Sequence, residues 1–131
     1  MAKKTKYDDI TKKLFEKALE YKNKGNFKKA VEKFKHINKL IGDSAPATGM
    51  IASILYQELD RVEEALPYAR KTVELSPKSE LGSLCLVLCL FTLNMKEEME
   101  QEIRRYVKIG NKFDNYNILF EENNLTKEDF L

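Results

Sequence analysis

The chain has 131 residues, 43% apolar and 34% charged, with a net charge of +2. That is one domain's worth of protein, with enough apolar material for a single packed core and too much for disorder. No apolar run reaches the roughly 20 residues a bilayer-spanning helix needs, and the basic, polar Met1–Asp9 is not followed by the apolar stretch of a secretory leader, so the chain reads as cytoplasmic.

In chain order, Phe15, Ala18/Leu19 and Tyr21 form the stripe of a first amphipathic helix, which the Lys24–Gly25–Asn26 turn ends. Phe27, Ala30/Val31, Phe34 and Ile37 repeat the three-and-four spacing in a second helix. Gly42–Asp43–Ser44 stops that helix and caps a third, with Pro46 in its tolerated first turn. A fourth helix follows Asp60. Pro67 lies inside it, where it should remove a hydrogen bond and introduce a kink. Ser76 is a good N-cap and Pro77 a good first residue for a fifth helix. That helix contains the apolar run Leu81–Leu93, broken by Gly82, Ser83 and Thr92. A helix apolar on every side must be buried in protein. Gly110–Asn111 ends a sixth helix. Phe113, Tyr116 and Leu119/Phe120 mark a seventh over residues 112–122, and residues 123–131 read as a loosely held tail.

The chain repeats. A shift of 35 carries Tyr21 to Tyr56, Phe27 to Val62, Ala30 to Ala65, Val31 to Leu66, Phe34 to Ala69 and Leu40 to Leu75. A further shift of 34 carries Tyr56 to Leu90, Ala65 to Met99, Ala69 to Ile103 and Thr72 to Tyr106. A unit of 34 or 35 residues built as a helix pair cannot bury its own apolar face, so neighbouring units stack to share a core.

With Ala18, Tyr21, Gly25–Asn26–Phe27, Ala30 and Phe34 in the first unit, and Ala52–Ser53, Tyr56, Ala65, Ala69 and Pro77 in the second, the pattern resembles the tetratricopeptide repeat (TPR) family. The resemblance covers about residues 11–110. It departs from the family at the leading tryptophan, where Leu14 and Gly49 stand, and at the first unit's leucine, where Lys17 stands. It implies an all-α fold: a right-handed α-solenoid of antiparallel helix pairs, about seven helices in all. The units fall at about 11–43, 44–77 and 78–110, the capping helix at 112–122, all in one domain over 1–122.

The resemblance also implies a function: a non-catalytic protein–protein interaction module, an adaptor, scaffold or assembly subunit. In the family, the first helix of each unit lines a concave groove that takes a peptide or helix. Carried over by register, the groove residues are Phe15, Leu19, Met50, Ile54, Leu84, Leu88 and Phe91, with Gln57 and Lys22 at the rim. This surface is strongly apolar, and six or seven such side chains left bare would make a patch of the size that marks a binding site. Three covers compete: a hydrophobic peptide or amphipathic helix of another protein, the chain's own residues 111–131, or a second copy. The clamp with which some family members grip the terminal carboxylate of chaperone tails is missing. Its places hold Phe15, Leu19, Ile51, Leu81 and Cys85, so no such tail is expected in the groove.

No catalytic constellation stands out. There is one histidine, His36, and no Gly-rich phosphate loop, and nothing calls for a small-molecule substrate or a cofactor. Cys85 and Cys89 are four apart and read as small buried side chains rather than a disulfide or a metal site. Glu63, Glu64, Glu97, Glu98, Glu100 and Glu102 read as solvated outer faces.

Charge is uneven. Residues 1–40 hold 13 Lys against five acidic residues; residues 41–131 hold 10 Lys or Arg against 16. The basic end centres on Lys28, Lys29, Lys33, Lys35 and Lys39, preceded by Lys3, Lys4, Lys6, Lys12 and Lys13. A solvated face explains this most simply. An acidic protein partner comes next and nucleic acid last, because Arg, the side chain suited to phosphate forks and base edges, is nearly absent there. Head-to-tail self-assembly of basic and acidic ends is a further alternative.

Overall fold

The computed structural model describes residues 6–131; Lys3 and Lys4 lie outside them. Seven α-helices run in order: α1 Lys6–Asn23, α2 Phe27–Ile41, α3 Ala45–Gln57, α4 Val62–Leu75, α5 Glu80–Thr92, α6 Lys96–Ile109 and α7 Asp114–Glu122. A 3-10 turn, Lys127–Phe130, follows. No strand occurs among the described residues. Each helix from α1 to α6 packs against the next, α3 also touches α5, α7 packs on α5, and the 3-10 turn packs on α6. The protein is an all-helical stack of the helical-repeat solenoid kind.

The repeat is visible in the turns. Gly25, Asp60 and Asn94 hold φ of +79°, +51° and +59°, at the spacings of 35 and 34 found in the sequence. The left-handed residue lets the chain reverse after α1, α3 and α5. At Gly25 and Asn94 it forms paired closing bonds: Asn26 N–H to Tyr21 O and Gly25 N–H to Lys22 O, then Met95 N–H to Leu90 O and Asn94 N–H to Phe91 O. Gly and Asn tolerate that region at low cost.

Helix starts on the α3 and α5 side repeat as well. The Ser44 hydroxyl accepts from Ala47 N–H and the Ser79 hydroxyl from Gly82 N–H. The expected Ser76 cap is corrected by this: Ser76 closes α4, donating its N–H to Thr72 O, and Pro77 sits in the turn that follows. Proline suits the second place of such a turn as well as it suits a first helical residue, so composition did not decide between them. Pro67 lies within α4, which continues through it.

Ala18, Ala30, Ala47, Ala52, Ala65 and Ala69 are fully buried where helices cross, and Phe34, Ile37, Ile51 and Leu55 fill the space between them. A second, aromatic cluster closes the C-terminal end. Tyr106 stacks on Tyr116 with ring centroids 4.9 Å apart, and Phe120 stacks on Phe130 at 5.4 Å. Phe130 is 7% exposed. The tail is therefore docked, not loose. α7 has no following partner helix, and the face of Phe120 left open is covered by the 3-10 turn, itself held by the reciprocal Thr126–Asp129 capping box.

Candidate functional site

α3 and α5 run side by side on one surface, and a hollow of about 600 Å³ lies between them. Its depth comes from small side chains. Gly49 and Gly82 both face the methyl group of Thr72: a Cβ at either position would approach it to 3.4 and 3.2 Å. Met50 and Gln57 on α3, and Leu84, Cys85 and Leu88 on α5, form the walls. Leu81, 69% exposed, stands at one end of the α5 wall, and Phe91, 65% exposed, continues the same stripe beyond the other. No lining residue is formally charged.

Of the residues expected in the groove, Met50, Gln57, Leu84 and Leu88 come together around this hollow. Phe91 is exposed on the same α5 stripe but outside the hollow's lining. Phe15 and Leu19 are elsewhere: both pack against the core, with the Phe15 ring edge-on to Phe34 at 5.1 Å. Ile54 needs correction. It is 1% exposed and belongs to the core. On α3 the outward stripe is Met50, Ser53 and Gln57, at steps of three and four, and a residue four beyond Met50 is already turned inward. Leu81 and Cys85 belong to the surface although family register placed them only as vacant clamp positions.

Residues 111–131 contribute Asn115 alone to the lining. The rest of that segment closes the end of the stack. Tyr56, also in the lining, has its hydroxyl 3.4 Å from the Thr92 hydroxyl, tying the α3 and α5 walls together at one end.

Cys89 is buried and Cys85 half-buried on the groove wall; both thiols are free. The neighbouring Cys89 thiol, together with burial, pushes the Cys85 thiol well above its usual range, which keeps it protonated and a poor nucleophile. Among the described residues no three His, Cys, Asp or Glu side chains gather as a metal site would require.

No protein-family model matches the chain, and no curated protein matches it.

One buried polar cluster was not legible in the sequence. Glu102, expected on a solvated face, is buried. Its carboxylate accepts from the Ser83 hydroxyl at 2.5 Å and from the Arg105 guanidinium at 2.7 and 2.6 Å. The Tyr116 hydroxyl lies 2.7 Å from Ser83. Arg105 is held in turn by Pro77 O at 2.9 Å. A buried carboxylate is tolerated because it is paired and fully hydrogen-bonded. The repeat carries Ala69 to Ile103, not to Glu102, so no signal in the sequence singled it out. Ser83 and Tyr116 are inaccessible, and the cluster holds α5, α6 and α7 together.

The basic candidates lie on α2. Lys28, Lys29, Lys35 and Lys39 are exposed and Lys33 half-buried. A second hollow of about 570 Å³ opens between α2 and α4, lined by Lys35, His36, Lys39, Glu32, Asp43 and Tyr68 among others. It shares no residue with the groove between α3 and α5. Among the described residues no helix is long and apolar enough to cross a membrane.

Proposed function

We propose that the chain is a non-catalytic interaction module of TPR type that takes one apolar face of an amphipathic helix from another protein into the groove between α3 and α5. The observation that carries this reading is a charge-free apolar hollow on a chain in which 34% of residues are charged. Charge depletion at the centre of a patch, with large apolar side chains left bare, distinguishes a docking surface from ordinary solvated protein. It also states the partner's chemistry: a contact face with no charge, since burying an unpaired one would be costly.

The dimensions suit a helix. From Leu81 to Phe91 the α5 stripe rises by about 15 Å, close to three helical turns. Leu, Met or Phe at positions i, i+3, i+4 and i+7 of a partner would lie along it and drop a side chain between Gly49 and Gly82.

The test uses the full chain and a designed helical peptide with leucines at that spacing and neutral polar residues elsewhere. Binding should be lost in Leu88→Glu and in Met50→Lys, both with unchanged helical content. Equal binding by parent and variants would refute the groove reading. Mass that rises with concentration in light scattering, and falls in Leu88→Glu, would assign the groove to a second copy instead.

A further inference from the structure

The three outer helices begin at equivalent places in the repeat, but not with equivalent charges. α4 opens Val62–Glu63–Glu64 and α6 opens Lys96–Glu97–Glu98, whereas α2 opens Phe27–Lys28–Lys29 and has no acidic residue in its first turn. None of the three is capped by a side-chain hydrogen bond. Unpartnered N–H groups leave a helix start partly positive, and acidic side chains offset this. α4 and α6 follow that rule. α2 reverses it, adding two exposed lysines to a positive end.

Among the described residues the charge on α2 is only partly offset: Glu32 lies on the same helix row, and Lys35 acts through space on the Glu64 carboxylate. Further along, Arg70 holds Glu98 through two bonds at 2.9 and 2.7 Å, and Arg105 holds Glu102. Among the described residues no salt bridge engages Lys28, Lys29, Lys33, Lys35 or Lys39. Lys29 instead sits 5.5 Å from the centre of the Tyr21 ring and Lys35 5.6 Å from that of Tyr68. A surface that gives up its own helix-dipole stabilisation, and whose lysines form no salt bridge among the described residues, leaves positive charge open to an anion from outside.

We propose that the outward face of α2 docks an acidic segment of a protein partner, anchored by Lys28 and Lys29 at the helix start. Lys35 and Lys39 extend the contact towards the second hollow. The occupant is protein rather than nucleic acid for two reasons. Glu32 lies on the same helix row as Lys28, Lys35 and Lys39, and Asp43 lines the second hollow. A nucleic-acid backbone carries a phosphate at every nucleotide and brings some of them against those carboxylates, whereas the acidic side chains of a protein segment can be spaced to avoid them, for example about 6 Å apart when four apart on a helix. No arginine precedes Arg61, so the face has point charges without the planar forks that phosphate recognition favours.

The test titrates the full chain with a fluorescent peptide of eight glutamates and, separately, with an eight-nucleotide oligothymidylate. The double variant Lys28→Glu/Lys29→Glu installs at α2 the acidic pair found on α4 and α6. Its affinity for the peptide should fall at least tenfold while its thermal midpoint rises. Leu88→Glu should bind the peptide as the parent does, which separates this surface from the groove. The proposal is overturned by unchanged peptide affinity in the double variant, by a lowered midpoint, by loss of the peptide in Leu88→Glu, or by tighter binding of the oligothymidylate. Concentration-dependent mass that disappears in the double variant would make the acidic partner another copy of this chain and overturn it equally.

Discussion

The Glu80 carboxylate accepts the backbone N–H of Tyr116 at 2.9 Å, joining the start of α5 to the start of a helix 36 residues later. The same oxygen accepts Asn115 N–H and the other accepts the Asn115 side-chain amide, each at 2.9 Å. Ser44 and Ser79 cap α3 and α5 at a spacing of 35, and the next equivalent place is Phe113, which has no capping side chain. Glu80 supplies that cap from a neighbouring helix. Glu80→Ala should cost about 2 kcal/mol, as expected when buried donors lose a charged acceptor. Urea denaturation measures the loss, and amide exchange should quicken first in α7. An unchanged midpoint with α7 still protected would deny Glu80 this role.

Alkaline pH should destabilise the protein. Tyr116 is fully buried, and burial drives its phenol well above the usual value of about 10. Tyr106 is raised in the same direction, again chiefly by burial. The unfolded chain releases these protons near pH 10 while the folded chain retains them. Their stabilising contribution is therefore complete below pH 10 and is lost as pH rises beyond it, at up to about 1.4 kcal/mol per pH unit for each group. Denaturation midpoints between pH 8 and 11.5 should show a slope that Tyr116→Phe makes shallower. An identical slope in the variant would assign the effect to other groups.

Ile54 and Leu88 should separate core from groove. Ile54→Lys places a charge among buried side chains and should unfold the protein or cost several kcal/mol. Leu88→Glu, on the groove wall, should change stability far less and keep the circular dichroism of the parent. If both variants unfold alike, the wall between α3 and α5 is closed core.

Gly49 and Gly82 flank the Thr72 methyl at different clearances. Gly49→Ala meets it at ordinary contact distance and removes a flexible residue from a helix, so it should stabilise by up to about 1 kcal/mol. Gly82→Ala is tighter, with the Ser79 hydroxyl oxygen also 3.3 Å from the new methyl, and should gain little or lose. Both fill part of the hollow and should weaken the designed helical peptide. Thermal midpoints and peptide titration read the two effects separately.

Much of this architecture could be read from local pattern. The three-and-four spacing located the first, second and last helices, turn residues and the repeat located those between, and the shifts of 35 and 34 that align Tyr21, Tyr56 and Leu90 also align the left-handed turn residues Gly25, Asp60 and Asn94. The same shift takes Ser44 to Ser79, a signal that would have placed the fifth helix's cap correctly in preference to the Ser76–Pro77 pair. The groove was only half legible. Register found Met50, Leu84 and Leu88, but Ile54 differs from Met50 by a single helical turn, and 40° of accumulated rotation moves it from wall to core.

Sequence alone determined the helices, their order and their charge, because these depend on neighbours a few residues away: periodicity, caps, turn residues and the Lys28–Lys29 reversal on α2. Tertiary structure decided which face of each helix stayed bare. α5 is apolar nearly all round, so its own pattern cannot say that Leu86 and Leu90 face inward while Leu81 and Leu88 face out; the position of α4 and α6 decides that. It also decided the burial of Glu80 and Glu102. A carboxylate enters a low-dielectric interior only when it is met by partners there; Arg105 reaches Glu102 from the same helix, but Ser83 reaches Glu102, and the Asn115 and Tyr116 N–H groups reach Glu80, only once α5, α6 and α7 are stacked.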